Sequence, residues 1–493
     1  IYKTHQLDAK RYKPVMIKAK ISEAKNELLT PERSAALAAD DFQEFVARAY
    51  KLYQHALEQQ AALDFDDLLL FTVRLFKQHP DVLTRYQEQI THVLIDEYQD
   101  TNKAQYQLTK FFAKPQENVY VVGDFAQSIY AWRGADYRNL NKLKKDFPTI
   151  AEYRLEQNYR STQTILDAAT QVIAQNTSHP ILNLWTENTH HQPITLIESE
   201  TGELEAQTVA RTIANEHATR EYSQFAILYR TNAQSRAFEE AFIRAGIPYR
   251  LVGGTKFYDR KEIKDLLAYA KIILNPLDTV SLERITKLGK RKLQQFLLFA
   301  DDKRQELLTQ PPVALLEQVL TISAYQDQFD HNNEEDLARL ENIQELLNVA
   351  SQFESLVMLL ENIALVQDGY MHDAKNDDQP NAVTLMSLHS AKGLEFPVVF
   401  LVGMEEGLLP HSRSLWDKTQ MEEERRLCYV GITRAKEQLF CTYAAKRWTY
   451  GSSTFSTRSR FLADISTDLI TVQRSFATQQ PFTHQYLKPK PKR

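Results

Sequence analysis

The sequence predicts an α/β protein with two parallel-sheet cores and helical insertions. Three observations carry this. Short, continuous apolar runs, the mark of strands buried on both faces, fall into two groups along the chain. Helical segments lie between the runs, as parallel connections require. The second group is broken by a helical stretch at about 259–378, with no glycine between Gly289 and Gly369.

In chain order, residues 1–63 are helical and charged and are expected to be the later part of a helical insertion. Apolar runs at 92–95, 119–122 and 153–155 place a first core at 64–162. Runs at 194–197 and 225–229 open a second core at 163–258. There Thr231 is an N-cap, and Gly246 closes the helix in the C′ position. Within 259–378, Ile263, Leu266, Leu267, Ala270 and Ile273 share one helical face, and Asn275-Pro276 ends that helix. Runs at 383–386, 398–402 and 439–442 complete the second core at 379–465. The remainder, 466–493, is polar, ends Lys488-Pro489-Lys490-Pro491-Lys492-Arg493 and reads as a flexible basic tail.

Composition narrows the function. Lys+Arg number 59 against 64 Asp+Glu, a formal net charge of −5, so no global positive field draws the chain to nucleic acid. A local basic groove inside an acidic protein still suffices for DNA. No apolar run approaches the ~18 residues of a membrane span, and no leader is expected from the opening residues. Two cysteines, Cys428 and Cys441, exclude a disulfide framework and a four-cysteine zinc site, and read as buried thiols in a reducing cytosol. The first glycine is Gly123, so no glycine-rich phosphate loop precedes it.

Five segments can carry chemistry. Val93-Leu94-Ile95-Asp96-Glu97-Tyr98-Gln99-Asp100 is a strand followed at once by two acids, at the sheet edge where ligands of open α/β sheets bind. Asp96 suits Mg²⁺ held through water, and Glu97 suits orienting an attacking water; an acidic loop after a strand is the bland alternative. The run from Gly123 to Ala135 follows the next strand. Its Gln127 can bond both a γ-phosphate and a water, while Tyr130, Trp132 and Arg133 supply the flat faces and the cation of a single-strand groove. A core place for Trp132 is the alternative, which its loop position beside Gly134 disfavours. In Gln157-Asn158-Tyr159-Arg160-Ser161-Thr162, Tyr159 can stack on a base, Arg160 can reach a phosphate, and Ser161 doubles as an N-cap. The stretch Ser387-Leu388-His389-Ser390-Ala391-Lys392-Gly393-Leu394-Glu395-Phe396 suits phosphate contacts. Its Glu395 can accept a ribose hydroxyl, and His389 taken alone is as readily structural. The run from Glu422 to Lys436 reads as a charged helix with a solvated face. Arg434 follows the apolar patch Tyr429-Val430-Gly431-Ile432, the setting of an arginine finger, which supplies ~10³–10⁵ in rate.

Together and in this order the segments resemble the superfamily 1 DNA helicases of the UvrD/PcrA/Rep group. Asp64-Phe65-Asp66-Asp67-Leu68-Leu69, Tyr229-Arg230-Thr231-Asn232-Ala233-Gln234-Ser235-Arg236 and Phe257-Tyr258-Asp259-Arg260-Lys261-Glu262 also fit that group's pattern. The resemblance implies two RecA-like cores, the first incomplete at its N-terminus, with insertions at 1–63 and 259–378. It implies ATP and Mg²⁺ as cofactors, with Asp96 binding the metal and Glu97 activating water. Gln127, Arg160 and Arg434 would meet the γ-phosphate, Tyr159 the adenine and Glu395 the ribose. Tyr130, Trp132, Arg133, His389 and His411 would line the DNA path. It further implies 3′→5′ movement on single-stranded DNA, unwinding at single-strand/duplex junctions in repair and replication, repair or replication proteins as partners, no membrane association and a bacterial cytoplasmic location.

The sequence departs from that group in its phosphate loop. The pattern G-x-x-x-x-G-K-[ST] occurs nowhere; the one Gly-Lys pair, Gly289-Lys290, is followed by Arg291. An N-terminal segment is therefore expected to be missing, and the chain as given to be inactive alone or to act as a non-catalytic remnant binding single-stranded DNA or a partner. The insertion at 259–378 is also expected to be short, with weakened duplex grip near Gly289.

Overall fold

The computed structural model of the chain describes residues 2, 5, 7, 11–114, 116–330, 333–373, 381–449 and 452–475. Two parallel sheets organise them. The first pairs β1 (Val93–Ile95) with β2 (Val119–Val121). The second contains β3 (Ile194–Thr201), β4 (Phe225–Tyr229), β5 (Tyr249–Val252), β6 (Val383–Ser387), β7 (Phe396–Leu401), β8 (Ala435–Thr449), β9 (Ser452–Phe455) and β10 (Ile470–Ser475). Its order is β10-β3-β8-β7-β4-β6-β5, with β9 antiparallel against β8.

Side-chain alternation divides the second core into two layers. Ile197, Phe225, Ile227, Phe400 and Phe440 face the helices Gly202–Glu216 and Ser235–Ala245 and the inserted helices beyond. Leu196, Ala226, Leu228, Leu401 and Cys441 face the other way, toward the helices Gln163–Ile173 and Lys418–Ile432. Every residue of β4 is buried, as its uninterrupted apolar run predicts. The break between β5 and β6 holds helices from Lys261–Leu274 to Leu356–Asp373, so the stretch read as helical is mainly helical over its described residues; 331–332 and 374–378 lie outside them. Thr231 forms a capping box, and Gly246 adopts φ 67°.

Two strand expectations are corrected. The run at 153–155 carries no strand: Tyr153 and Leu155 are 84% and 74% exposed, and no strand of the described residues lies beside them to supply a hydrogen-bond ladder. The expected tail does not begin at 466, because Ile470–Ser475 pairs in register with β3. Its side chains are mostly exposed, so it is an edge strand held through its backbone. Residues 476–493, including the basic end, lie outside the described residues.

The opening helix Pro14–Asn26 is fastened by a buried ion cluster. Lys25, fully buried, lies 2.7 Å from Asp64 Oδ2 and 2.8 Å from Asp67 Oδ1. Asp64 and Asp67 also form the capping box of the helix Phe65–Gln78. Burial pushes the Asp64 carboxyl up, but hydrogen bonds from Lys25, the Asp67 backbone and Tyr53 outweigh it and hold the carboxyl below its usual range. Lys25→Met strands the fully buried Asp67 carboxylate, with the partly exposed Asp64 beside it, so urea unfolding at neutral pH is expected to show a loss of about 3–5 kcal/mol.

Candidate active site

At the end of β1 the chain turns sharply. Glu97 adopts a left-handed conformation, φ 51°, which costs an L-residue ~1–2 kcal/mol. The turn lets Glu97 N donate to Asp96 Oδ1 at 2.8 Å and leaves both acids exposed at the sheet edge. Gln99, fully buried, donates to Glu97 Oε2 and accepts from Asp124 N at 3.0 Å, tying the ends of β1 and β2 together. A Cβ at Gly123 would lie 2.8 Å from Gln99 Oε1, so a side chain there would push on the amide that ties the two strand ends. Asp124 Oδ2 in turn accepts from Gln127 Nε2 at 2.9 Å, which leaves the Gln127 oxygen facing the second core.

That oxygen meets Arg434. The Arg434 side chain is almost wholly buried, and the acceptors it meets among the described residues are neutral. They are Val430 O at 2.9 Å, Leu394 O at 3.1 Å, Thr433 Oγ1 at 3.1 Å and Gln127 Oε1 at 3.5 Å. Burial, and then the like charge of Arg160, push its pKa down to about 10. A cation so placed favours an incoming anion.

Arg160 rests on the second core. Its Nε donates to Glu395 Oε2 at 2.6 Å and its Nη1 to Thr433 O at 3.3 Å. Asn158 Oδ1 accepts from the backbones of Arg160 and Ser161, both at 2.8 Å, which sets the turn. Ser161 is not the N-cap: Thr162 holds that position of the helix Gln163–Ile173 without a side-chain capping bond, and Ser161 Oγ donates to Ala435 O at 2.6 Å. Lys436 completes a Lys–Glu–Arg group at 2.6 Å from Glu395 Oε1; its hydrogen bond, then that of Arg160, hold Glu395 below the usual carboxylate range. Tyr159 is 85% exposed, with its hydroxyl donating to Gln157 at 2.8 Å. An open ring next in the chain to Arg160, which holds Glu395, suits stacking on a flat heterocycle.

The aromatic residues lie on the far side of the same loop. Tyr130 OH donates to His389 O at 3.3 Å, and its ring sits 6.5 Å from that of Trp132 at 59°. Trp132 is 47% exposed, so it is not a core residue. The Arg133 side chain lies outside the described ones. His389 is half-buried. His411 has its Nε2 3.1 Å from Glu341 of the inserted helices, and its backbone N donates to Glu424 at 2.9 Å.

Sequence reasoning left Lys392 out of the site. Its ammonium is nearly buried and crosses from the second core to the first, meeting Asp100 Oδ2, Glu97 Oε2 at 3.1 Å and Gln127 O at 3.0 Å, with the Tyr130 ring centre at 5.4 Å. A phosphate contact was expected from this segment; in the structure the lysine meets carboxylates. The expected solvated face of the Glu422–Arg426 run is also corrected. Glu422, Glu424, Arg425 and Arg426 are buried, because their partners come from distant segments: Thr177, Arg230, Val172 and Ser128. Among the described residues no cluster of acids, histidines and cysteines holds a metal-like arrangement, and no helix is long and apolar enough to cross a membrane.

Comparison with known proteins gives the family. The UvrD/REP helicase N-terminal domain matches residues 1–148, and the UvrD-like helicase C-terminal domain matches 153–307 and 313–446. The chain is 43% identical to ATP-dependent DNA helicase PcrA of Bacillus subtilis (strain 168), over 95% of this chain and 70% of that protein. It is 42% identical to PcrA of Staphylococcus epidermidis and of Staphylococcus aureus, each over 95% of this chain and 71% of the relative. A solved C-terminal domain of a possible DNA helicase from Lactobacillus plantarum aligns at a TM-score of 0.29 and 13% identity, covering 64% of this chain and 98% of that one, too weak a likeness to bear on the fold. With both family domains matched in order and the motif residues gathered between two cores, the chain belongs to the UvrD/REP family of superfamily 1 helicases.

Proposed function

We propose that this chain carries the motor of an ATP-dependent 3′→5′ DNA helicase, a cytoplasmic protein that moves on single-stranded DNA and opens duplexes in repair and replication. The observation that carries the reading is the meeting of Gln127 and Arg434 across the two cores, 3.5 Å apart, beside the exposed acids Asp96 and Glu97. The donor set fits magnesium and a triphosphate on this side: two acids at a strand end, and a buried guanidinium with neutral acceptors. Asp96 would hold the metal, Glu97 would orient water, Arg160, Gln127 and Arg434 would meet the γ-phosphate, Tyr159 the base and Glu395 the ribose. Bound magnesium supplies charge neutralisation at the transferring phosphoryl group. The chain's own residues orient the water at Glu97 and bring the Arg434 charge to the reacting oxygens. Tyr130, Trp132, Arg133 and His389 would contact the strand, with His411 near it. Junctions of single and double strand are the substrate, and repair or replication proteins the partners.

A second reading of the chain as given is a non-catalytic remnant that binds single-stranded DNA or a protein partner; the phosphate-loop pattern does not occur within these 493 residues. As DNA-binding readings, both require the aromatic loop. Trp132→Ala is expected to weaken binding of a fluorescent oligothymidylate about 5- to 160-fold, the value of one stacked base. Unchanged affinity contradicts both. DNA-stimulated ATP turnover separates them: the 493-residue chain is expected to show none, and measurable turnover overturns the remnant reading.

A further inference from the structure

One stripe of the Lys418–Ile432 helix grips the loop that joins Gln127 to Trp132. Glu423, Arg426 and Val430 are spaced by three and four residues, so they share one helical face. At ~1.5 Å rise per residue that face spans roughly 10 Å. Glu423 Oε1 accepts from Ala131 N at 3.2 Å. Arg426 Nε donates to Ser128 O at 2.8 Å, and its guanidinium lies 5.3 Å from the centre of the Tyr137 ring. Val430 O holds Arg434, which reaches Gln127. Contacts ascend the helix as they descend the loop, so helix and loop run antiparallel. The helix itself is fixed to the second core. A Cβ at Gly431 would lie 2.5 Å from Leu388, and Arg425, on another face, donates to Val172 O at 3.0 Å and pairs with Asp464.

We propose that Glu423 and Arg426 are positioning residues that hold the 127–132 loop in register with Arg434, so that a change at the Gln127–Arg434 contact moves Trp132. The function of the two loop ends rests on the reading above; the grip between them does not. Two backbone groups of a short loop, one N–H and one C=O, are pinned to a single rigid helix. The loop therefore has little slack to absorb a displacement at one end before the other follows.

The test uses this chain with Trp185, Trp416 and Trp448 replaced by Phe, leaving Trp132 as the reporter. Acrylamide quenching and oligothymidylate anisotropy are read together. Arg426→Gln and Glu423→Ala are each expected to raise Trp132 quenching and to weaken oligothymidylate binding about 5-fold, the loss of one weak stacking contact. Glu423→Gln keeps an acceptor oxygen and is expected to stay near the parent. Arg425→Gln is expected to lower the melting temperature with Trp132 quenching unchanged. Arg434→Gln, at the other end, is expected to shift Trp132 quenching. Unaltered quenching in Arg426→Gln and Glu423→Ala, an equal change in Arg425→Gln, or no response to Arg434→Gln overturns the proposal. A parent chain that does not bind oligothymidylate overturns the single-strand reading, while the quenching arms still decide the grip.

Discussion

Replacing Arg434 by alanine is expected to lower kcat for ATP about 10³-fold or more in a chain supplied with a phosphate loop, with KM for ATP changed far less. The guanidinium is buried and held by backbone carbonyls and neutral side chains, so its charge is already desolvated before any anion arrives. Such preorganised charge costs no reorganisation at the moment of reaction and is worth most where charge develops. Lysine at the same position is not expected to restore the rate. Arg434 contacts Val430 O, Leu394 O and Gln127 with three different nitrogens, a fork that a single ammonium does not reproduce. Steady-state kinetics on the alanine and lysine variants check both statements.

Lys392→Ala is expected to destabilise the contact between the cores by about 3–5 kcal/mol at pH 7 and by less at pH 5. Lys392 and Asp100 are 5% and 16% exposed, so removing the ammonium strands a nearly buried carboxylate. Glu97, half exposed, adds little to the stability change after solvent screening. Burial already pushes the Asp100 carboxyl above its usual range, against the pull of Lys392. Without the lysine that rise grows. A carboxyl raised in the folded state binds its proton there at a pH where the unfolded chain has lost it. Its penalty is therefore full above the raised folded value and fades as pH falls toward the ordinary aspartate value of about 3.9. Urea melts of parent and variant at the two pH values give the magnitude and the sign.

The layout of the second core was legible because its central strands are buried on both faces. Phe225-Ala226-Ile227-Leu228-Tyr229 has no polar interruption, and β4 has those bounds. Edge strands left no such trace. β5 contains Arg250, and β10 is mostly exposed, so only their backbone partners define them. Tyr153 and Leu155 misled in the opposite direction, since an apolar pair alternating with Arg154 looks like a strand whether or not a neighbour exists. In the site, acids placed directly after a strand identified Asp96 and Glu97, and aromatics beside an arginine identified the Trp132 loop. Lys392 and Arg426 were missed because their partners, Asp100 and Ser128, lie nearly three hundred residues away, and spacing along the chain carries no information about such pairs. The buried charges of the Lys418–Ile432 helix look like a solvated face for the same reason.

The most direct measurement is a structure of the chain, completed with a phosphate loop and bound to oligothymidylate, magnesium and a non-hydrolysable ATP analogue. The γ-phosphate is expected between the cores, within hydrogen-bond distance of both Gln127 and Arg434, with the metal on the Asp96 side. An analogue held by the first core alone, with Arg434 still bonded only to its present neutral acceptors, contradicts a motor whose two lobes share one nucleotide.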